Sequence, residues 1–181
     1  SFIIGRDFIK NDHTCLILGD NLFHGFDNNS QLKNASNKKE GGTIFAYRVI
    51  DPERYGVVGF NNKKQVISIE EKPKKPLSKY AVTGLYFFDN KVIDYSKKLK
   101  PSKRNELEIV DLLNKYKIKN KLSAQFLGRG GAWLDTGSIN DFYDTSAFVS
   151  ALENRQGLKI ACLEEIALNN KWIDKKNIES A

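Results

Sequence analysis

Residues 15–21 read Cys-Leu-Ile-Leu-Gly-Asp-Asn, an apolar run of strand length followed by a turn signal. A continuous apolar run of this kind is typical of a strand that is covered on both faces of a sheet. Gly19, Asp20 and Asn21 end the run, because these residue types favour turns over continued strand. We therefore expect a buried strand at residues 15–18, with a polar loop at its carboxyl end.

Short β-rich runs and longer amphipathic segments alternate along the rest of the chain. Further strands are predicted at residues 43–49, 55–60, 65–69, 81–88 and 122–127. The second and third of these are joined by the polar residues 61–64, which predicts a hairpin. A hairpin among strands that alternate with helical segments indicates an α/β fold with a mixed sheet.

Two helices carry start signals in the sequence. Asn105 and Glu108 form an Asn-x-x-Glu pattern, a variant of the capping box, before apolar residues at helical spacing. Ser138 precedes a second, longer periodic stretch that ends near residues 154–157. We expect short helices within residues 158–181. No internal repeat or low-complexity linker separates these segments.

The composition excludes several classes of protein. The 181 residues are 40% hydrophobic and 28% charged, which is the profile of a soluble globular protein of one domain, or of one domain with an appendage. No apolar run reaches the roughly 20 residues that a membrane span needs, so we expect no membrane partner. Cys15 and Cys162 fit neither a disulfide scaffold nor a zinc site, and a cytoplasmic location is expected.

The basic charge of the chain is carried mainly by lysine. Lysine and arginine number 29 against 22 acidic residues, for a formal net charge of +7. Such an excess can serve nucleic-acid binding, but only six of these residues are arginine, the side chain that most often reads base edges. No nucleic-acid-binding motif accompanies the lysines. We expect a solvated lysine-rich surface and no nucleic-acid partner, with nucleic-acid binding as the minor alternative.

Two aspartates stand where ligands bind in α/β sheets, beyond the carboxyl ends of strands. Asp20 follows the apolar run that ends at Leu18, and Asp135 follows Ala-Trp-Leu at residues 132–134. Two carboxylates that meet at one crevice would suit Mg²⁺, which prefers a few protein oxygens together with phosphate oxygens of a substrate. The alternative is that each aspartate is a turn residue or a helix cap.

Glu71, Lys72 and Pro73 close the predicted strand at residues 65–69. Pro73 forces Lys72 out of right-handed helical geometry, and a lysine held at a strand end is a usable charge for phosphate. Glu71 could accept a hydrogen bond from a sugar hydroxyl, although a surface ion pair between these two residues is an equally good interpretation. Gly56 and Gly84 interrupt good strands, which often marks a close approach of a ligand or of backbone.

Six segments in this order resemble the bacterial glucose-1-phosphate thymidylyltransferases. They are residues 16–21 (Leu-Ile-Leu-Gly-Asp-Asn), 51–58 (Asp-Pro-Glu-Arg-Tyr-Gly-Val-Val), 69–73 (Ile-Glu-Glu-Lys-Pro), 80–86 (Tyr-Ala-Val-Thr-Gly-Leu-Tyr), 106–109 (Glu-Leu-Glu-Ile) and 132–137 (Ala-Trp-Leu-Asp-Thr-Gly). Each segment alone is a weak signal, but all six in one order are a strong one. The resemblance covers the chain from its first residues to its end.

The resemblance implies a nucleotidyltransferase with a Rossmann-like mixed sheet. Such an enzyme joins glucose 1-phosphate to dTTP and releases dTDP-glucose and pyrophosphate, which feeds dTDP-rhamnose and surface polysaccharide synthesis. It also implies a homotetramer with a feedback site for dTDP-rhamnose at a subunit interface. In-line transfer of this kind needs positioning and charge neutralisation more than a protein nucleophile. This agrees with the absence of any Ser-His-Asp or Cys-His pattern in the sequence.

The resemblance also assigns roles to residues of this chain, with Asp20, Lys72 and Asp135 as the catalytic candidates. Asp20 and Asp135 would hold Mg²⁺ against the nucleotide phosphates. Lys72 and Arg104 would hold the phosphate of the sugar. The sugar pocket would be lined by Gly56, Glu71 and Val82.

The sequence departs from the family pattern in places. The family begins with a glycine-rich loop that grips the triphosphate, and no such segment is present here, so we expect a chain truncated at the amino terminus that is inactive alone, with exposed strand edges. The nucleobase is left open, because thymine recognition lies mostly in that segment. Asn105 and Gly131 stand where the family commonly has glycine and an aromatic residue.

Two other functions remain as alternatives. One is a non-catalytic sugar-phosphate-binding or regulatory module of the same descent. The other is a metal-dependent glycosyltransferase, which is disfavoured because Asp20 is followed by Asn21 rather than by an Asp-x-Asp pair. On the leading interpretation, residues 1–157 are the sugar-binding and catalytic part and residues 158–181 are a carboxyl-terminal helical segment.

Overall fold

The computed structural model describes residues 2–25, 28–102 and 105–179. The chain forms two compact units, Ser1–Leu134 and Asp135–Ala181. The first unit carries the strands that form the main sheet, and the second is helical. No helix in the described ranges combines the length and the apolar character that a bilayer crossing requires.

The strands of the described chain are β1 (Thr14–Ile17), β2 (Asn21–His24), β3 (Gly42–Arg48), β4 (Gly56–Phe60), β5 (Val66–Glu71), β6 (Tyr80–Phe88), β7 (Leu122–Phe126) and β8 (Ala132–Asp135). Six of them lie where the sequence predicts them, whereas β2 and β8 are not among the predicted strands and β2 begins within the expected loop. The helices are α1 (Arg6–Ile9), α2 (Asn28–Ser36), α3 (Val92–Ser96), α4 (Ile109–Ile118), α5 (Ile139–Gln156), α6 (Leu163–Asn169) and α7 (Lys175–Glu179), with a 3₁₀ turn at Pro52–Arg54. The short helices predicted for residues 158–181 are therefore present as α6 and α7.

The main sheet is mixed, as the sequence predicts. Its order is β5-β4-β6-β3-β7, and β1 also pairs with β6. Strands β3 and β7 are parallel, whereas the β4–β5 hairpin and the pairs that β6 makes with β1, β3 and β4 are antiparallel. Strands β1 and β4 lie end to end along the edge of β6 that faces away from β3. Strands β2 and β8 form a separate two-stranded sheet.

The core of the first unit lies between the main sheet and the helices α3 and α4. Helix α4 presents Val110, Leu112, Leu113 and Tyr116 to it, and each of these is at most 4% exposed. Ile44 of β3 and Val58 of β4 are fully buried in the same cluster. Burial of each large apolar side chain contributes about 1.5–3 kcal/mol before conformational entropy is subtracted. This packing fixes the strands on which the candidate site residues stand.

Strand β1 differs from its prediction, because only one of its faces is covered by described residues. Leu16 packs against the core, whereas Ile17 is 58% exposed and the following Leu18 is 41% exposed. The strand pairs with β6 from Thr14↔Phe88 to Ile17↔Leu85. The expectation that the apolar run is covered on both faces is wrong for the described chain, since one side of the run faces the core and the other faces outward.

Helix α4 begins later than the Asn-x-x-Glu pattern predicts. Its N-cap position is Glu108, and Asn105 lies in a turn with φ +60°, where its N–H donates to the carbonyl of Ser102. The hydroxyl of Ser102 donates to Oε1 of Glu108 at 2.8 Å, which holds this turn instead of a capping box. Helix α5 follows its prediction, because Ser138 accepts from the N–H of Asp141 and left-handed Gly157 ends the helix.

A buried aspartate joins the end of β6 to helix α4. Asp89 is 5% exposed and accepts from the N–H of Gly41 at 2.7 Å, the N–H of Lys91 at 3.1 Å and the hydroxyl of Tyr116 at 2.8 Å. Burial is the main cause that raises the pKa of Tyr116, and the hydrogen bond to Asp89 and the charge of that carboxylate raise it further. Tyr116 therefore stays protonated in the folded chain well above its ordinary titration range.

This arrangement predicts a loss of stability in alkali. An unfolded tyrosine ionises near about pH 10, but folded Tyr116 does not, so the stability it contributes is present below about pH 10 and is lost as pH rises further. Tyr116→Phe should cost about 1.5–3 kcal/mol at neutral pH and should flatten the alkaline fall. Urea unfolding from about pH 7 to about pH 11 measures both effects.

Tyr143→Phe is the matched control, because Tyr143 is 73% exposed on helix α5. This variant should keep the wild-type stability and the wild-type alkaline fall. An alkaline fall in Tyr116→Phe as steep as that of the wild type would contradict the assignment to Tyr116.

Candidate functional site

The candidate site begins at the turn after β1. The N–H of Leu18 donates to the carbonyl of Gly84 at 2.9 Å, which carries the β1–β6 pairing to the edge of this turn. Asp20 then lies exposed at the carboxyl end of the strand, as the sequence predicts. Its Oδ1 accepts a hydrogen bond from Nδ2 of Asn21 at 2.7 Å. The carboxylate is thus presented outward by a polar turn.

Asn21 connects this turn to two other parts of the first unit. Its Oδ1 accepts from the indole Nε1–H of Trp133 at 2.6 Å and from the N–H of Gly84 at 3.3 Å. A Cβ at Gly84 would lie 2.6–2.8 Å from the amide atoms of Asn21, closer than such atoms approach. Gly84 is a point of close approach, but the group that approaches it is the side chain of Asn21 rather than the ligand or backbone that the sequence predicts.

The β4–β5 hairpin brings Gly56 opposite Glu71. The register pairs these two residues directly, and a Cβ on Gly56 would lie 3.3 Å from Oε2 of Glu71. The same Cβ would meet Val110 of α4 at 3.3 Å and Val82 of β6 at 3.9 Å. Gly56, Glu71 and Val82, which the resemblance places in one sugar pocket, are therefore neighbours, and a side chain at position 56 would crowd the carboxylate of Glu71.

Tyr86 is a buried tyrosine whose pKa is raised by burial and by the charges of Glu71 and Asp20. Its side chain is on β6 and only 3% of the residue is exposed. Burial is the main cause that raises the pKa of this tyrosine, and the negative charges of Glu71 and then Asp20 raise it further. Both carboxylates therefore raise the pKa of the same buried phenol.

Lys72 is held by its backbone in a strained turn directly after β5. Its φ is +43°, in the left-handed region, and its N–H donates to the carbonyl of Tyr55 at 3.0 Å. This geometry is outside the right-handed helical region, as Pro73 predicts, but it is not extended. A non-glycine residue with positive φ is uncommon and often accompanies a functional constraint. The side chain of Lys72 is exposed beside Glu71, where it can meet an anion.

An aromatic cluster that sequence reasoning missed surrounds Trp133. Trp133 is 7% exposed, and its ring centroid lies 5.2 Å from that of Tyr55 and 6.0 Å from that of Tyr47. The hydroxyl of Tyr47 donates to the carbonyl of Gly131 at 3.1 Å. The signal in the sequence is the tryptophan directly before Leu134 and Asp135, but nothing local shows that its indole N–H meets Asn21.

The described structure does not join two of the predicted site residues, Arg104 and Asp135, to the others. Arg104 lies outside the described residues. Asp135 is the first residue of the second unit, and its Oδ1 accepts from the N–H of Gly137 at 3.0 Å, as an aspartate in a turn does. The convergence of Asp135 with Asp20 stays a prediction.

The described residues offer few clustered side chains that could bind a metal ion. No group of three or more His, Cys, Asp or Glu side chains that could hold a metal ion occurs among them. An exposed carboxylate such as Asp20 fits the different requirement of Mg²⁺, which keeps several waters and takes one or two carboxylates together with substrate phosphates.

The nucleotidyl transferase family model matches residues 1–151, so the chain belongs to the nucleotidyl transferase family. The glucose-1-phosphate thymidylyltransferase of Neisseria gonorrhoeae is 53% identical over 180 residues, which cover 99% of this chain and 62% of that protein. The enzyme of the same name from Mycobacterium tuberculosis is 44% identical over 178 residues, with 98% and 62% covered. The chain thus spans less than two thirds of the length of these relatives. The resemblance drawn from the six segments is confirmed by the identity of these relatives to this chain.

Solved structures show the same fold. A crystal structure named as a glucose-1-phosphate thymidylyltransferase of Bacillus anthracis, in complex with sucrose, is 42% identical with a TM-score of 0.72, over 80% of this chain and 57% of that one. A UDP-glucose pyrophosphorylase complexed with UDP-glucose also has a TM-score of 0.72, at 23% identity over 81% of this chain and 59% of that one. The second likeness concerns the fold alone. The predicted α/β nucleotidyltransferase fold with a mixed sheet is confirmed.

Proposed function

We propose that this chain is the sugar-binding part of an enzyme that joins glucose 1-phosphate to dTTP and releases dTDP-glucose and pyrophosphate. The observation that carries the proposal is that Gly56 pairs directly with Glu71 in the β4–β5 hairpin and lies close to Val82, so the three residues assigned to the sugar pocket lie together. In this proposal Asp20 offers a carboxylate for a metal, and Glu71 offers another for sugar hydroxyls. The names of the relatives support the same substrates.

In the proposed reaction an oxygen of the sugar phosphate attacks the α-phosphorus of the nucleotide in line. A new P–O bond forms as the bond between the α-phosphorus and the bridging oxygen breaks, and both electrons of that bond leave with pyrophosphate. No bond to the protein is needed, so the protein must position two anions and offset their repulsion. Mg²⁺, when bound, supplies charge neutralisation to the nucleotide phosphates.

The residues of this chain have distinct parts in that scheme. Asp20 holds the metal, and Asp135 is the second ligand that the resemblance assigns. Lys72 and Arg104 hold the phosphate of the sugar. Lys72 offers a compact positive charge, and Arg104 offers a planar guanidinium group that can donate two hydrogen bonds at once. Glu71 accepts hydrogen bonds from sugar hydroxyls, beside Gly56 and Val82.

The triphosphate is proposed to be bound by a glycine-rich segment in the part of the relatives that this chain does not cover. Base recognition is proposed to lie there too, so dTTP and UTP are not distinguished by the residues described here. The chain alone should then bind the sugar phosphate without turnover.

The wider setting is proposed from the resemblance. It comprises a cytoplasmic enzyme of dTDP-rhamnose and surface polysaccharide synthesis, acting on small molecules rather than on nucleic acid or membranes. A homotetramer with a feedback site for dTDP-rhamnose is part of this proposal. Exposed apolar side chains on the second unit support only the self-association, since Ile139 is 90%, Phe142 62% and Leu163 75% exposed.

The test uses the product of the complete reading frame that contains this sequence, called the complete-frame protein below. With glucose 1-phosphate, Mg²⁺ and dTTP we expect pyrophosphate release, with dTDP-glucose identified by mass. Reactions with UTP and without Mg²⁺ test the base and the metal. The 181-residue chain, assayed in parallel, should release none. Binding of glucose 1-phosphate without pyrophosphate release by the complete-frame protein would instead favour the non-catalytic module.

A further inference from the structure

We propose that Asn21 is a positioning residue, whose side-chain amide fixes the carboxylate of Asp20 by anchoring it to Trp133 and to Gly84 of β6. This inference rests on the proposed function, because it concerns the carboxylate that would hold the metal. Nothing in the sequence pattern assigns Asn21 a task beyond ending the apolar run.

The orientation of the Asn21 amide is determined by its partners. The indole Nε1–H of Trp133 and the backbone N–H of Gly84 are donors only, and both point at Oδ1 of Asn21. Because the oxygen must face these two donors, the amide nitrogen must face the other way. It lies 2.7 Å from Oδ1 of Asp20, where it can only donate. The amide therefore acts as a directional link between the two donors and the carboxylate.

Both anchors are parts of a rigid frame. Trp133 is 7% exposed and its ring meets those of Tyr47 and Tyr55, which holds the indole in place. Gly84 lies within the long central strand β6, which pairs on both edges. Asp20 is exposed on a turn, and its hydrogen bond with Asn21 connects its carboxylate to this frame. Residues that orient metal-binding carboxylates typically change metal affinity or activity by about 10–100-fold when they are replaced.

Two substitutions of Asn21 separate positioning from packing. Asn21→Asp keeps acceptor oxygens for Trp133 and Gly84 but replaces the donor that faces Asp20 with a like charge. Asn21→Leu has a similar shape and removes all three hydrogen bonds. In the complete-frame protein each should lower kcat by about 10–100-fold. The KM for glucose 1-phosphate should stay unchanged in both, since neither substitution touches Lys72 or Glu71.

The decisive readout is a double-mutant cycle with Asp20→Asn. If Asn21 acts through the Asp20 carboxylate, Asn21→Leu costs nothing further in kcat once that carboxylate is gone. A purely structural role would lower kcat by the same factor in both backgrounds. That equal loss, or wild-type kcat in Asn21→Asp, would overturn the proposal.

The chain provides a matched control and a second variant. Asn61 in the β4–β5 turn accepts from the N–H groups of Lys63 and Gln65 and donates from Nδ2 to Gln65, so Asn61→Asp makes the same chemical change away from Asp20. It should leave kcat unchanged. Gly84→Ala should reproduce the loss, because its methyl group displaces the Asn21 amide, whereas a Cβ at Gly128 meets no described atom within 4 Å and Gly128→Ala should not.

A measurement on the 181-residue chain keeps this proposal separate from the proposed function. Trp133 and Trp172 are the two tryptophans of the sequence, so Trp172→Phe leaves a single indole N–H signal in the NMR spectrum. Added Mn²⁺ should broaden that signal, and the broadening should fall several-fold in Asn21→Leu and vanish in Asp20→Asn. Equal broadening in the Asn21→Leu variant, or none in the parent, would overturn the proposal. Normal broadening in a protein that makes no dTDP-glucose would overturn the proposed function alone.

Discussion

Replacing Asp20 with Asn should lower kcat of the complete-frame protein by about a thousandfold, which corresponds to about 4 kcal/mol in the activation barrier. The amide of Asn has the same shape but carries no charge, so it would hold Mg²⁺ weakly and leave the phosphate charges less neutralised. Asp20 is exposed on its turn, and fold stability should therefore change little. Steady-state pyrophosphate release at saturating substrates measures kcat, and urea unfolding checks the fold.

Asp94→Asn is the matched control for this substitution. Asp94 is an exposed carboxylate in the first turn of α3, and its loss should leave turnover unchanged. Asp135→Asn should show a loss of the same order as Asp20→Asn, and unchanged turnover there would remove Asp135 from the proposed metal ligands. Unchanged turnover in Asp20→Asn would remove the metal role of the turn after β1.

Replacing Lys72 with Met should raise the KM for glucose 1-phosphate by about 10–150-fold, the range of a hydrogen bond to a charged group. Methionine keeps an unbranched side chain about as long as the aliphatic part of lysine but removes the positive charge proposed to meet the phosphate of the sugar. The KM for dTTP should stay unchanged, because Lys72 is proposed to touch only the sugar phosphate. Initial rates over a grid of both substrates separate the two constants.

Lys74→Met is the matched control, since Lys74 is another exposed lysine of the same loop. It should leave both KM values unchanged. A rise in the KM for dTTP that equals the rise for the sugar would show that Lys72 serves both anions. Wild-type constants in Lys72→Met would exclude it from the site.

Much of the fold could be predicted because its signals are local. The hairpin turn at residues 61–64, Ser138 at the start of α5 and Gly157 at its end each depend on side chains only a few residues away. The amino-terminal end of α4 could not be predicted in this way. Asn105 carries a capping pattern, but the contact between Ser102 and Glu108 holds a turn there instead.

In the candidate site, too, the features that depend on local signals could be predicted and those that depend on distant contacts could not. Asp20 follows from a strand end, and the meeting of Gly56 with Glu71 follows from the register of a predictable hairpin. The bond between Asn21 and Trp133 joins residues 112 positions apart, and no pattern near either residue indicates it. The role of Gly84 depends on that same side chain, so the sequence marks the glycine without naming the group that approaches it.

The parallel pairing of β3 with β7 has a consequence for how the first unit folds. Thr43 on β3 meets Ser123 on β7, 80 positions later, and the hairpin, β6 and α4 all lie between them. The entropic cost of closing a loop rises with its length, and chains rich in such distant contacts fold slowly. During synthesis, the outer strand β7 can dock only after almost the whole unit has left the ribosome. The β4–β5 hairpin, whose partners are close in the chain, can form long before that.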